Sequence, residues 1–245
     1  AGDRVRIGLI GVGRIGQLHA RHLAHRIPGA ELAAIADVNE AAAKECAARL
    51  GVPCALGDYH ELLDNADIDA VAICSSTDTH AHIVGEAAEA GKHIFCEKPI
   101  DQSLAKIDQA LAAVKKAGVK LQVGFNRRFD ANFARIRQAV ASGEIGQPHI
   151  LHIISRDPGP PPIAYVKVSG GLFLDMTIHD FDMARFIIGD EVEEVYTAAG
   201  VMVDPAIGAA GDLDTALITL RFVSGVIGVI DNSRQAVYGY DQRLE

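Results

Sequence analysis

Cysteines are scarce in this chain of 245 residues, which holds Cys46, Cys54, Cys74 and Cys96. Four cysteines are too few for a disulfide-rich scaffold, and because no two of them form a C-x-x-C pair, their spacing excludes a structural zinc site. We therefore predict buried free thiols in a protein of a reducing compartment.

Long hydrophobic runs and an excess of basic charge are missing as well. No apolar run reaches the roughly 18 residues that a membrane-spanning helix needs. Lysine and arginine total 23 against 32 acidic residues, which gives a net charge of -9. General nucleic-acid binders instead carry a basic patch or stripe. We predict a cytoplasmic protein that binds neither membranes nor nucleic acids.

Two patterns alternate in the first half of the chain, short apolar runs and longer segments with helical spacing. The runs are Val5–Ile10, Leu32–Ala36, Ala70–Cys74, His93–Cys96 and Leu121–Phe125, and the helical segments are Ile15–Arg26, Glu40–Leu50, Ala81–Ala90 and Leu104–Ala117. Such alternation is typical of a doubly wound parallel sheet that is covered on both faces. Residues 1–125 are therefore predicted to form a Rossmann domain.

Strand-like runs predominate after residue 125. The runs are His149–Ser155, Val192–Ala199, Ala216–Phe222 and Val226–Ile230, and the helix candidates are Asn132–Ala141 and Met176–Ile188. No long helix separates the last two runs, which favours a largely antiparallel sheet. We predict that residues 126–245 form a second α/β domain. Because residues 242–245 have the pattern of a strand interior, we expect this domain to be truncated at its C-terminus.

A glycine-rich motif, G-V-G-R-I-G at residues 11–16, joins the first strand to the first helix. Gly11 would allow a tight turn, Gly13 would let a pyrophosphate approach the backbone, and Gly16 would let the helix pack on the strand. Asp37 follows 21 residues after Gly16, at the end of the second strand. Its carboxylate would bind the adenosine ribose and repel a 2′-phosphate, which favours NAD over NADP. The alternative is a glycine-rich turn that binds nothing. The predicted NAD-binding residues of this region are Gly11, Gly13, Arg14, Ile15, Gly16 and Asp37.

Polar residues also follow the strands Ala70–Cys74 and His93–Cys96, at the edge where parallel sheets bind ligands. We expect cofactor contacts from Ser75, Thr77, His80, Glu97 and Lys98. Helix capping by Thr77 or Thr79 is the alternative for the hydroxyl groups. Lys98 precedes a proline, which restricts it to an extended conformation. It is therefore a candidate for the reacting centre, and a solvated surface charge is the alternative.

Asp175 and His179 are spaced i, i+4 across the start of a predicted helix. On one helix face, the carboxylate would favour the imidazolium and fix the ring, as a general base for an alcohol proton requires. The alternatives are a helix N-cap for Asp175, a half-buried structural histidine, and a metal site that also includes Asp182. On the first helix we interpret His19, His22 and His25 as structural, because that helix packs against the sheet away from the reacting centre.

Several stretches together resemble the Gfo/Idh/MocA oxidoreductases, and in particular their inositol dehydrogenase branch. They are G-V-G-R-I-G at 11–16, E-K-P at 97–99, N-R-R-F-D at 126–130, S-R-D-P at 155–158, G-G-L-F-L-D-M-T-I-H-D at 170–180 and G-Y-D-Q-R-L-E at 239–245. The glycine motif is shared by many dehydrogenases, whereas its combination with E-K-P and D-x-x-x-H is specific. The resemblance implies NAD-dependent oxidation of a secondary hydroxyl of a cyclic polyol such as myo-inositol.

The resemblance also implies the roles of individual residues. Lys98, Asp175 and His179 would be catalytic, and no metal would take part. The polyol would be bound by these three residues together with Arg128, Asp157, Tyr238 and Tyr240. Surface salt bridges for Arg128 and Asp157, and sheet packing for the tyrosines, are the alternatives. The family likeness further implies a homo-oligomer, a tetramer, that assembles through the C-terminal sheet.

Other functions remain open on the sequence alone. The same chemistry could act on scyllo-inositol or on a glucose-type sugar. A non-catalytic NAD-binding regulator would keep the glycine motif, but it would not need Lys98, Asp175 and His179 together. A zinc alcohol dehydrogenase is disfavoured, because the chain lacks a catalytic set of cysteine and histidine ligands.

Overall fold

The computed structural model describes residues 4–245 of the chain. The chain divides into two compact units, of which the first ends at Gly124 and the second spans Phe125–Glu245. No helix within residues 4–245 is long and apolar enough to cross a membrane.

The first unit is a doubly wound sheet whose strands all run parallel. Its strands are β1 (Val5–Ile10), β2 (Ala30–Ala36), β3 (Cys54–Leu56), β4 (Ala70–Ile73), β5 (His93–Cys96) and β6 (Leu121–Val123). Its helices are α1 (Arg14–His25), α2 (Glu40–Leu50), α3 (His60–Leu63), α4 (Thr77–Glu89) and α5 (Leu104–Ala117). The strand order β3-β2-β1-β4-β5-β6 reverses direction between β1 and β4. Open α/β sheets bind ligands at this switch point, outside the carboxyl ends of the strands.

The apolar runs of the first unit are buried, as the pattern predicts. Leu9, Ile35, Val71 and Ile73 are fully buried in the sheet, and the helices cover them. Cys46, Cys74 and Cys96 are buried free thiols, whereas Cys54 is only partly buried. Burial raises the pKa of the Cys74 thiol and raises that of Cys96 to about 12, so neither is a nucleophile at neutral pH.

The second unit is built on a mixed sheet. Its strands are β7 (Ile150–Arg156), β8 (Val192–Gly200), β9 (Thr215–Phe222), β10 (Ile227–Ser233) and β11 (Asp241–Leu244), in the order β11-β7-β10-β9-β8. Its α-helices are α6 (Ala131–Ala141), α7 (Ile163–Ser169), α8 (Ile178–Ile188) and α9 (Pro205–Ala209). A 3₁₀ turn spans Asn126–Phe129, and a π-helical turn, Phe173–Thr177, runs directly into α8.

One face of this second sheet is buried and the other is open. Along β9, Ile218, Leu220 and Phe222 are fully or almost fully buried, while the intervening Leu217 is 51% exposed. The buried face packs against apolar residues of α6 and α8. This period of two explains why β9 and β10 can be recognised from the sequence.

The predicted fold class is confirmed, with differences in detail. The second sheet is mostly antiparallel, but β7, which lies between β10 and β11, pairs with β10 in parallel. The strand pattern predicted for residues 242–245 is confirmed by β11. The short elements β3, α3, α7 and α9 were not predicted, because three to seven residues carry too little periodicity.

Candidate active site

The glycine motif forms the turn between β1 and α1. Gly11 has a φ of +94°, and a Cβ there would lie 2.6 Å from the Cys74 carbonyl oxygen. A Cβ on Gly16 would lie 2.0 Å from the Gly11 carbonyl oxygen. Both positions therefore need glycine for the chain itself to fold. A Cβ on Gly13, in contrast, would meet nothing within 4 Å. The space beside Gly13 is open to a ligand.

The N-terminus of α1 is suited to a phosphate. Gly13 is the N-cap residue of this 12-residue helix, and it offers no side chain to the first-turn N–H groups. Such N–H groups and the helix dipole attract anions. Arg14 is exposed and Ile15 partly exposed at the same turn. The residues fit the pyrophosphate of a dinucleotide.

Asp37 is held rigidly at the end of β2. Its Oδ2 accepts a hydrogen bond from the Val12 N–H at 2.8 Å, and its Oδ1 accepts one from the Asn39 N–H, also at 2.8 Å. Each carboxylate oxygen keeps a lone pair for a ribose hydroxyl. Asp37, Gly11, Gly13 and Ser75 line a cavity of about 520 Å³ in the first unit. The cavity therefore joins the phosphate and ribose positions predicted from the sequence.

The polar residues after β4 lie partly at this cavity. The Ser75 hydroxyl is 2.7 Å from that of Thr79, and both residues line the cavity. The capping alternative is wrong, because Ser76 is the N-cap of α4 and makes no side-chain cap hydrogen bond. Thr79 instead donates back to the Ser76 carbonyl. Thr77 is the first residue of α4, and its cofactor contact stays a prediction.

His80 has a structural role inside the first unit that the sequence did not indicate. The ring is 2% exposed, with Nδ1 2.8 Å from the Pro99 carbonyl oxygen and Nε2 3.1 Å from that of Ser75. It thereby connects the turn after β4 with the turn after β5. A direct contact between His80 and the cofactor stays a prediction.

Glu97 and Lys98 follow β5, and the peptide bond from Lys98 to Pro99 is cis. The Lys98 backbone N–H donates to Glu97 Oε2 at 3.3 Å. Glu97 Oε1 lies 2.7 Å from Nε2 of His19. The His19 ring also lies 5.0 Å from that of Phe95 in β5, measured between centroids. These contacts agree with the structural interpretation of the α1 histidines, but they bring His19 to the E-K-P segment, which the sequence did not indicate.

Asp175 and His179 belong to the second unit and share one continuous helical segment. Asp175 lies in the π-helical turn, and His179 lies in the first turn of α8. The N-cap alternative for Asp175 is wrong, because Thr177 occupies that position of α8. The His179 ring meets Phe125 edge-on, with ring centroids 6.5 Å apart. Isolated π turns within helices occur frequently at functional sites.

Arg234 is a site residue that the sequence reasoning missed. Its Nη1 donates to Asp175 Oδ2 at 3.1 Å and lies 3.5 Å from Asp157 Oδ2. The Tyr165 hydroxyl donates to Asp175 Oδ1 at 2.8 Å. Burial raises the pKa of Asp157 and the Asp175 charge adds to this effect, while Arg234 opposes it. Two predicted site residues, Asp157 and Asp175, are thus joined through one guanidinium.

The remaining predicted residues of the second unit are engaged by neighbouring charges. Arg128 Nε and Nη2 donate to the two carboxylate oxygens of Asp182 at 2.8 and 2.5 Å, which makes Asp182 unsuited to a metal. No group of three His, Cys, Asp or Glu residues within 4–245 could hold a metal ion.

The tyrosines do not pack within the sheet, because Tyr238 is 65% and Tyr240 is 62% exposed. The Tyr238 hydroxyl accepts from Arg156 and donates to Asp241. Sheet packing is therefore the wrong alternative for both residues, and their contacts with a substrate stay predictions.

Comparison with known proteins identifies the family. Residues 5–125 match the GFO_IDH_MocA oxidoreductase family, NAD-binding Rossmann fold, and residues 133–245 match the GFO/IDH/MocA C-terminal domain. The chain is 57% identical to a myo-inositol 2-dehydrogenase of Thermotoga maritima and 49% identical to an inositol 2-dehydrogenase of Rhizobium meliloti. Each alignment covers 98% of this chain and 72% of the relative.

A solved structure is similar over almost the whole chain. It is a scyllo-inositol dehydrogenase from Lactobacillus casei with bound NAD(H) and scyllo-inositol, 33% identical with a TM-score of 0.91. The match covers 99% of this chain and 73% of that protein. The predicted cofactor is thereby confirmed. The chain belongs to the Gfo/Idh/MocA oxidoreductase family, and it is an NAD-dependent dehydrogenase.

Proposed function

We propose that the protein oxidises the 2-hydroxyl of myo-inositol to the ketone, with NAD as the hydride acceptor. The observation that carries the proposal is the 57% identity to a myo-inositol 2-dehydrogenase over 241 residues. The chain also contains Lys98, Asp175 and His179, the residues for which the family resemblance implies catalysis. Scyllo-inositol is the second candidate substrate, because the similar Lactobacillus casei enzyme holds that polyol.

In this proposal each catalytic side chain has one task. His179 accepts the proton of the reacting hydroxyl as a general base. Asp175 orients the imidazole and stabilises its charged form. The Lys98 ammonium donates a hydrogen bond to the reacting oxygen and stabilises the negative charge that develops there. Bound NAD supplies the hydride acceptor.

Substrate recognition is assigned to residues 126–245 and cofactor recognition to residues 1–125. Arg128, Asp157, Tyr238 and Tyr240 would contact the ring hydroxyls, since a polyol both donates and accepts hydrogen bonds. The exposed phenols of Tyr238 and Tyr240 support this assignment. The half-buried carboxylate of Asp157, which lies beside Arg234, provides an acceptor of fixed position.

Assembly and location are part of the same proposal. The open face of the second sheet exposes Tyr196 by 71%, Leu217 by 51% and Ile227 by 47%. Large apolar side chains exposed on one face support a homo-oligomer, a tetramer, formed through the sheet. The buried free thiols support a cytoplasmic location.

The test is an NADH-absorbance assay with myo-inositol, scyllo-inositol and glucose as separate substrates. Myo-inositol should give the highest kcat/KM, and an inversion toward scyllo-inositol would select the second candidate. A parent protein that binds NAD but forms NADH with none of the three would disprove a polyol dehydrogenase of this kind. It would favour the regulatory alternative instead.

A further inference from the structure

Arg234 follows β10 and is the only buried arginine among residues 4–245. Its side chain is 3% exposed. The Arg234 backbone N–H donates to the Asp214 carbonyl at 2.8 Å, so the base of the side chain is fixed. A charged group in such a position strongly destabilises the folded state unless a neighbouring charge compensates it. Its neighbours should therefore explain why the charge is there.

A single nitrogen of Arg234 serves two carboxylates. Nη1 lies 3.1 Å from Asp175 Oδ2 and 3.5 Å from Asp157 Oδ2. These carboxylates come from separate segments, the turn after β7 and the π-helical turn before α8. Like charges repel when they share a site. The guanidinium offsets this repulsion, so the two carboxylates can both lie beside Nη1.

The other two nitrogens of the Arg234 guanidinium contribute no hydrogen bond to the pairing. Nε and Nη2 of Arg234 are buried and have no hydrogen-bond partner within residues 4–245. Leaving a buried donor unpaired destabilises the folded state. The forked geometry of arginine, which normally binds carboxylates through two nitrogens, is therefore not what the site exploits. The positive charge at Nη1 is what the two carboxylates require.

We propose that Arg234 is a positioning residue for the polyol oxidation, which holds Asp157 and Asp175 together as an ionised pair. Asp175 then presents a charged carboxylate to the general base, and Asp157 presents an acceptor of fixed orientation to the substrate. The catalytic consequence rests on the proposed function, whereas the pairing of the carboxylates does not. Tyr165, which donates to Asp175, and Arg127, whose charge acts on Asp157, stay unchanged in the test.

The test compares Arg234→Gln, Arg234→Lys and Arg185→Gln in the full chain with saturating NAD. Arg185 pairs with Glu191 at the surface of the same unit, so Arg185→Gln controls for the loss of an ordinary ion pair. Arg234→Gln should lower kcat on the order of 100-fold and leave the Kd of NAD within about twofold. Arg234→Lys should recover activity to within about tenfold of the parent, because it restores the charge. Arg185→Gln should stay within about twofold.

The pH profile separates positioning from a loss of structure. Without the guanidinium the Asp157 carboxylate is protonated more easily, so the acid limb of kcat/KM should move to higher pH in Arg234→Gln. A lower plateau with an unmoved limb, or no rescue by lysine, would overturn the proposal. So would an Arg234→Gln enzyme that is folded and as active as Arg185→Gln.

A measurement that needs no turnover keeps the inference independent of the substrate. The carboxyl carbon-13 signal of Asp157 can be assigned with Asp157→Asn and then titrated. The pKa of Asp157 should be higher in Arg234→Gln than in the parent, because the Arg234 charge lowers it. An unchanged titration would overturn the pairing. An inactive parent in which Arg234→Gln shifts this titration would refute the proposed function alone.

Discussion

The two units place their functional groups by different physical means. In the first unit the backbone does so: Gly11 and Gly16 shape the turn after β1, and Asp37 is fixed by two backbone N–H groups. In the second unit, ion pairs between residues far apart in the chain hold the groups, as Arg234 holds Asp175. Backbone placement leaves a motif in the sequence, whereas placement by long-range pairs does not.

The helix that carries His179 shows the second mode again. Asp180, the next residue, is fully buried and accepts from Arg127 Nη1 at 2.5 Å and from Asn232 Nδ2 at 2.9 Å. Asn232 also accepts from the Thr177 hydroxyl. A polar network that is satisfied in this way fixes one arrangement of the buried groups. The first turn of α8 is thus anchored to β10 and to the 3₁₀ turn.

Loss of Lys98, which follows β5 in the first unit, should give the largest decrease in kcat. Lys98→Ala is expected to lower kcat on the order of 100-fold or more, about 2.7 kcal/mol, because it removes the donor to the reacting oxygen. Arginine should rescue poorly, since its planar fork differs from a compact ammonium. Steady-state kinetics with myo-inositol measure both variants.

Lys106→Ala is the matched control for Lys98→Ala. Lys106 is an exposed lysine of the same unit, paired with Asp101 at 3.6 Å. Its removal should leave turnover unchanged. If Lys98→Ala also turns over within a few-fold of the parent, Lys98 is a surface charge, and the first unit supplies cofactor binding only.

Two glycines of the motif at 11–16 sharpen the comparison, because Gly16 is needed for the fold and Gly13 for the approach of the ligand. Gly16→Ala should destabilise the protein by about 2 kcal/mol, since its Cβ would overlap the Gly11 carbonyl. Gly13→Ala has open space and should leave the thermal midpoint unchanged. It should nevertheless weaken NAD binding by about tenfold, or 1.4 kcal/mol. Equal NAD affinity of Gly13→Ala and the parent, measured by calorimetry, would remove Gly13 from the cofactor site.

The sequence predicts the first unit well because the backbone places its functional groups, and backbone placement leaves motifs in the sequence. The motif at 11–16 and Asp37 encode a turn and a strand end, and the structure has both. The contact of His19 with Glu97 was not predicted, because the spacing of His19, His22 and His25 cannot show which one reaches Glu97. Arg234 was missed because its partners Asp157 and Asp175 lie 77 and 59 positions away. The π-helical turn was missed because an i, i+4 pair fits an α-helix equally well.

Asp214 tests whether a buried carboxylate of the second unit can act on the backbone as Asp37 does. It accepts hydrogen bonds from the N–H groups of Met202, Val203 and Asp204. Burial acts to raise the pKa of Asp214, but these hydrogen bonds outweigh it and bring the pKa below the ordinary value of 3.8. Asp214→Asn should therefore cost about 1.5 kcal/mol of unfolding free energy at pH 7.

The pH dependence gives this prediction its sign. A folded-state pKa below 3.8 means that ionised Asp214 stabilises the fold fully above that pH and loses its effect as the pH falls through the lower value. The difference between parent and Asp214→Asn in urea unfolding should shrink in acid. Asp204→Asn is the control, because asparagine caps α9 as well as aspartate does. A difference that is constant with pH would contradict the charge-assisted role.

The smallest expected effect concerns cofactor choice at Asp37. Asp37→Ala should weaken NAD binding by about 1 kcal/mol, roughly fivefold, because the ribose loses its acceptor. Binding of NADP should improve at the same time, since the negative charge that repels a 2′-phosphate is gone. The ratio of the Kd values for NADP and NAD measures the preference for NAD. Asp64→Ala, which removes an exposed acid of the same unit, should leave this ratio unchanged. Because Asp37 also holds the Val12 N–H, weaker binding of both cofactors would show that the carboxylate shapes the turn and does not choose the cofactor. Selection by the charge of Asp37, whose position the backbone fixes, is supported only if Asp37→Ala binds NAD more weakly and NADP more tightly than the parent does.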